Sequence, residues 1–110
     1  MGYEYSIVLE NGEYPNAVQA LTEAFQSFSA QYVVEVDNNG FSLMCSEDKK
    51  WPDSMQIIVR TADEYTYAVP KDTQYLYCLF YIGGDEAYRA MELIKSTLCR
   101  LEYAFEMDDL

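Results

Sequence analysis

Hydrophobic and polar positions alternate with a period of two at the start of the chain. Tyr3, Tyr5, Ile7 and Leu9 fall on one side, Glu4, Ser6, Val8 and Glu10 on the other, which predicts a half-buried strand. Asn11-Gly12 breaks the alternation, and Pro15 with Asn16 opens a helix, the proline sitting in its first turn. Ala17, Val18, Leu21, Ala24, Phe25 and Phe28 then recur at helical spacing on one stripe, so the helix is expected to cover a sheet. Two short runs at 32–37 and 41–45 flank Asn38-Asn39-Gly40, a triplet suited to the positive backbone angles of a tight hairpin turn. The polar stretch 46–54, with Lys49, Lys50, Trp51 and Pro52, reads as the longest loop.

Three further strands are expected over 55–60, 65–69 and 74–82, joined by short turn-forming connections at 61–64 and 70–73 as in an antiparallel meander. The last is apolar on both sides and therefore central. Leu76, Cys78, Phe80 and Ile82 should turn toward the helices, leaving Tyr75, Tyr77, Leu79 and Tyr81 opposite. Gly83-Gly84 ends this strand, and Asp85 is placed to cap a final helix over 85–106. Apolar residues at 87, 91, 94, 98, 101 and 105 repeat as a heptad seam along it. The expected order is β-α-β-β-β-β-β-α: a single α+β domain over 1–110, with a mostly antiparallel sheet of about six strands and two helices on one face.

Charge changes the picture next. Nineteen Asp and Glu against seven Lys and Arg, with no His, give a net charge of -12, which disfavours nucleic acid and anionic membranes as partners. Residues 1–48 carry eight acids and no base, 49–100 balance seven of each, and the last ten residues add four acids. The excess belongs to the N-terminal half and the tail, and makes one negative face if the fold brings them together. The absent histidine removes the commonest general base and metal ligand. No G-x-S-x-G elbow, P-loop, dinucleotide fingerprint, zinc spacing or CxxC occurs. A calcium loop is disfavoured at Asp37-Asn38-Asn39-Gly40, because glycine comes fourth and Phe41 fifth. No catalytic residue, metal or cofactor is therefore assigned, and a non-catalytic chain is expected. Cys45, Cys78 and Cys99 read as small buried thiols of a cytoplasmic protein, in a chain with no secretion signal and no membrane-spanning run.

Eleven tyrosines supply the remaining candidate chemistry. The pairs Tyr3 and Tyr5, Tyr65 and Tyr67, and Tyr75 and Tyr77 are spaced by two, so each shares a sheet face if the segment is a strand. A tyrosine-lined surface rimmed by acids suits protein binding, because each ring offers large contact area and a hydroxyl at low entropy cost. In size, charge and α+β order, the chain resembles the small, acidic, cytoplasmic immunity proteins that bacteria pair with polymorphic or contact-dependent toxins. At the same level it resembles phage inhibitors of host nucleases and acidic secretion chaperones. No residue string carries the likeness. It implies an acidic binding protein that neutralises a basic partner, a toxin or nuclease domain, by occluding its site. The candidate contacts are Glu10, Glu13, Asp37, Glu47, Asp48 and Trp51, with Tyr65, Tyr67, Tyr75 and Tyr77 as the alternative face. A homodimeric secretion chaperone or adaptor, joined through the helix 85–106, is the second reading, and a phage-encoded inhibitor of host defence the third.

Overall fold

Strand periodicity decides which side chains meet the helices, and the computed structural model, which describes residues 3–28, 31–45 and 54–110, shows the outcome. The elements are β1 (Tyr3–Leu9), α1 (Tyr14–Phe25), β2 (Tyr32–Val36), β3 (Gly40–Cys45), β4 (Met55–Thr61), β5 (Gln74–Phe80), α2 (Gly84–Arg100) and β6 (Phe105–Asp109). The strands form one antiparallel sheet in the order β2-β3-β4-β5-β1-β6. As expected, the fold is α+β, with a six-stranded antiparallel sheet and two helices. Leu76, Cys78 and Phe80 of β5, Ile7 and Leu9 of β1, Met55 and Ile57 of β4 and Phe41 and Leu43 of β3 share one core with Ala17, Leu21 and Phe25 of α1 and Ala90, Ile94 and Leu98 of α2. Each fully buried large side chain contributes about 1.5–3 kcal/mol, so this layer holds the helices to the sheet.

Two segments depart from the expected elements. Residues 65–69 are not a strand. Ala62 N–H donates to Thr73 O at 2.9 Å and Asp72 N–H to Ala62 O at 2.8 Å, which closes 62–73 as a loop. Ala68 and Asp72 take φ of 67° and 68°, left-handed conformations that a strand does not contain. The loop packs back on the sheet face away from the helices, where Val69 joins Ala62, Tyr75 and Tyr77 in a second, smaller core. The other departure lies at the C-terminal end. The helix expected over 85–106 stops at Arg100, with Glu102 at φ 61° and Tyr103 N–H donating to Leu98 O at 3.0 Å, a left-handed stop. The chain then returns as β6 along β1, so the sixth strand follows α2 and the order is β-α-β-β-β-β-α-β.

Local contacts explain smaller differences. The hairpin between β2 and β3 forms, but without positive φ at Asn38, Asn39 or Gly40. Instead Asp37 Oδ1 accepts the N–H groups of Asn39 at 2.8 Å and Gly40 at 3.0 Å. Gly40 is needed because a Cβ there would lie 1.9 Å from Ile57 O on β4. Gly83, not Asp85, is the N-cap of α2, while Asp85 and Glu86 stand in its first turn. Glu13 is the N-cap position of α1, with Pro15 in the first turn and Asn16 donating to the Glu13 carboxylate at 2.6 Å. Tyr14, buried at the head of α1, ties three elements together: its hydroxyl accepts Leu9 N–H at 3.0 Å and donates to Gln74 O at 2.7 Å. Cys78 is buried, and burial pushes its thiol up to about 12. Cys99 is exposed on α2, contrary to the expectation of three buried thiols, and the Cys45 side chain lies outside the described residues.

Candidate functional site

The site grows out of the pairing of β1 with β6. Ser6 stands opposite Asp108 and Val8 opposite Glu106, so these side chains and Glu4 share the sheet face turned away from the helices. Glu4, Glu106 and Asp108 are all exposed there. Glu4, from the acid-rich N-terminal part, and Glu106 and Asp108, from the tail, thus lie on adjacent strands. On the other side of β1, Ser6 pairs with Tyr77, and Tyr75 pairs with Arg60 of β4. The Ser6 hydroxyl is buried beside this row and has no hydrogen-bond partner among the described residues.

Across this face the 62–73 loop frames a cleft of about 250 Å³, with Tyr65, Thr66 and Tyr67 on the loop side and Glu4, Arg60 and Tyr77 on the sheet side. The Arg60 guanidinium carbon lies 3.9 Å over the Tyr77 ring centre, a cation–π stack. Burial pushes the Tyr77 phenol above its ordinary value, and Glu4, through its charge and a side-chain hydrogen bond, pushes it the same way against the opposing pull of Arg60. The phenol is therefore neutral at physiological pH.

The loop itself is fixed by Asp63. Asp63 Oδ1 accepts Tyr65 N–H at 2.9 Å and the Thr66 hydroxyl at 3.0 Å, while Asp63 N–H donates back to Thr66 Oγ1 at 3.1 Å. These bonds, first the Tyr65 amide and then the Thr66 hydroxyl, hold the Asp63 carboxyl below the usual carboxylate range. Tyr65 and Tyr67 are thereby presented with 86% and 76% of their surface exposed.

The candidate contacts separate into groups. Tyr65 and Tyr67 stand out from the face, but Tyr75 and Tyr77 are only 4% and 7% exposed and act as its floor. Glu10, Glu13 and Asp37 are exposed, with Glu10 about 20 Å along the strand from Glu4, so they do not join the Glu4 cleft. Asp37 is engaged in its own turn. Glu47, Asp48 and Trp51 lie outside the described residues. Glu4, Arg60, Asp63, Glu106 and Asp108 are not among the contacts expected from the sequence. For the strand acids the signal was their alternation with Tyr3, Tyr5, Phe105 and Met107, which places them on one face.

Besides Arg60 in the cleft and Lys71 on the loop, Arg89, Lys95 and Arg100 sit on α2, where Arg89 lies over the Phe28 ring at 4.9 Å and donates to Phe28 O at 3.1 Å. A larger groove of about 450 Å³ between α1 and α2 is lined by Phe28, Tyr88, Arg89 and Glu92, with both signs of charge and no preference between them. Among the described residues, no three His, Cys, Asp or Glu side chains are grouped to hold a metal ion, and no helix is long and apolar enough to cross a membrane. Comparison with known proteins finds no matching family model, no matching curated protein and no matching solved structure.

Proposed function

We propose that this chain is a non-catalytic, acidic binding protein that neutralises a basic protein partner by occluding its site, as an immunity protein or inhibitor does for a toxin or nuclease domain, in the cytoplasm. The observation that carries the reading is the convergence, on one sheet face, of Glu4, Glu106 and Asp108 with two exposed tyrosines on a pre-ordered loop. The acids steer a basic surface toward this face, raising the encounter rate. The rings then supply contact area with less further ordering, since Asp63 already holds the Tyr65 amide and the Thr66 hydroxyl between them. A homodimer through the seam of α2 has less support, because Ile94 and Leu98 of that seam are fully buried in the chain's own core.

The test is capture from a lysate of the source cells by the immobilised wild-type chain and by a Glu4→Gln/Glu106→Gln/Asp108→Asn variant. The reading predicts a basic protein that wild type retains at low salt and releases at high salt, that the variant fails to retain, and whose own activity stops when one equivalent of this chain is added. Equal retention by the variant, or full activity of the captured protein in the presence of excess chain, contradicts it.

A further inference from the structure

Resting on that reading, we propose that the cleft between Tyr65 and Tyr67 on the loop and Glu4 on β1 is the seat of one arginine side chain of the basic partner. At about 250 Å³ the cleft is smaller than the roughly 300–1,000 Å³ of ordinary small-molecule sites, and it is open, which fits a single inserted side chain rather than a cofactor. Four tyrosines, Tyr65, Tyr67, Tyr75 and Tyr77, line it. A ring attracts a cation through its quadrupole, and a planar guanidinium both stacks on the ring and forks onto a carboxylate, which a lysine ammonium does not do.

Arg60 bears on the assignment in two ways. Its guanidinium carbon already lies 3.9 Å over the Tyr77 ring, so the sheet side of the cleft shows a cation–π contact with the chain's own residue. That placement leaves the rings of Tyr65 and Tyr67 exposed and uncovered, and Glu4 at the opposite side of the cleft. Arg60 is also a like charge for an incoming arginine. Glu4 in the cleft, with Glu106 and Asp108 on the next strand of the same face, outnumbers it, so the net charge of this face favours a cation over an anion. Were the cleft instead a carboxylate seat, Arg60 would be its principal anchor, and the two assignments therefore predict opposite effects of removing it.

The experiment titrates the wild-type chain with acetylated, amidated hexa-arginine, hexa-lysine and hexa-glutamate, followed by calorimetry and by the NMR signals of the Tyr65 and Tyr67 rings. Arginine is expected to bind about threefold tighter than lysine, the margin a surface cation–π stack supplies. A Tyr65→Ala/Tyr67→Ala variant, altered only at exposed side chains, should fold normally and bind both basic peptides equally. Arg60→Met should leave the arginine preference intact and tighten hexa-arginine by about twofold, the size of a screened surface charge effect. Equal binding of arginine and lysine by wild type overturns the arginine seat, and so does an arginine preference that survives in the double tyrosine variant. Hexa-glutamate binding lost in Arg60→Met overturns it in favour of a carboxylate seat. In any of these cases the proposed function still stands if basic peptides bind at low salt and the triple acid variant does not bind them. Failure of every basic peptide to bind at low salt overturns both.

Discussion

Asp63 ties the turn that carries Tyr65 to the loop's own backbone, and its chemistry gives a pH signature. Its carboxyl titrates below the ordinary 3.8 because the charged form accepts the Tyr65 amide and the Thr66 hydroxyl. A group with a depressed folded-state pKa contributes its full share above the unfolded value and loses it as pH falls through the folded one. The Tyr65 amide should therefore keep its chemical shift from pH 7 down to about pH 4 and move only below that. In Asp63→Asn, which keeps an acceptor but cannot titrate, the acid-dependent movement should vanish. Persistence of the same movement in the asparagine variant would show that another group orders the loop. The Asp63 and Thr66 spacing was readable as a side-chain-bonded turn. The alternation of Tyr65, Tyr67 and Val69 pointed instead to a strand, and nothing in that alternation reveals that Val69 alone is buried while both rings are exposed.

At the scale of elements, the first strand, the first helix, the hairpin and the strands at 55–60 and 74–82 were legible because each carries one clear period and a breaker at its end. The central strand even disclosed which face meets the helices: Leu76, Cys78 and Phe80 are in the helix-side core and Tyr75 and Tyr77 are opposite. The C-terminal part misled for a physical reason. Leu101 and Phe105 continue a helical spacing of four, yet Phe105, Glu106, Met107 and Asp108 also alternate as a strand does. Pairing with β1 decides between the two, by partly burying Met107 and Phe105 opposite Ile7 and Leu9, and a single-segment pattern carries no information about a partner about 100 residues away. The position of α2 in the core has a direct test. Leu98→Ala should cost about 2–5 kcal/mol in denaturant unfolding, independent of protein concentration, as a fully buried leucine does. A loss that grows on dilution would instead place Leu98 in an interface between chains.

For the molecule as a whole, the net charge of -12 acquires direction. Glu4 of β1 meets Glu106 and Asp108 of the tail where β1 pairs with β6, on the face away from the helices, with Arg60 as the base on that face, while Arg89, Lys95 and Arg100 sit on α2 among Asp85, Glu86 and Glu92. The exposed acids Glu106, Asp108 and Asp109 also blunt the β6 edge against pairing with another strand, so side chains on the face, rather than backbone at that edge, are left to make contact. None of this polarity was readable before the strand order was known, since only the β2-β3-β4-β5-β1-β6 arrangement puts the tail beside the first strand. The central claim is that this polarised face captures a basic protein, and the association rate of the captured partner measured from low to high ionic strength tests it most directly. The account predicts a rate that falls by about tenfold or more as salt is raised, and that in the Glu4→Gln/Glu106→Gln/Asp108→Asn variant starts low and changes little. A wild-type rate that stays constant across the salt range would contradict it.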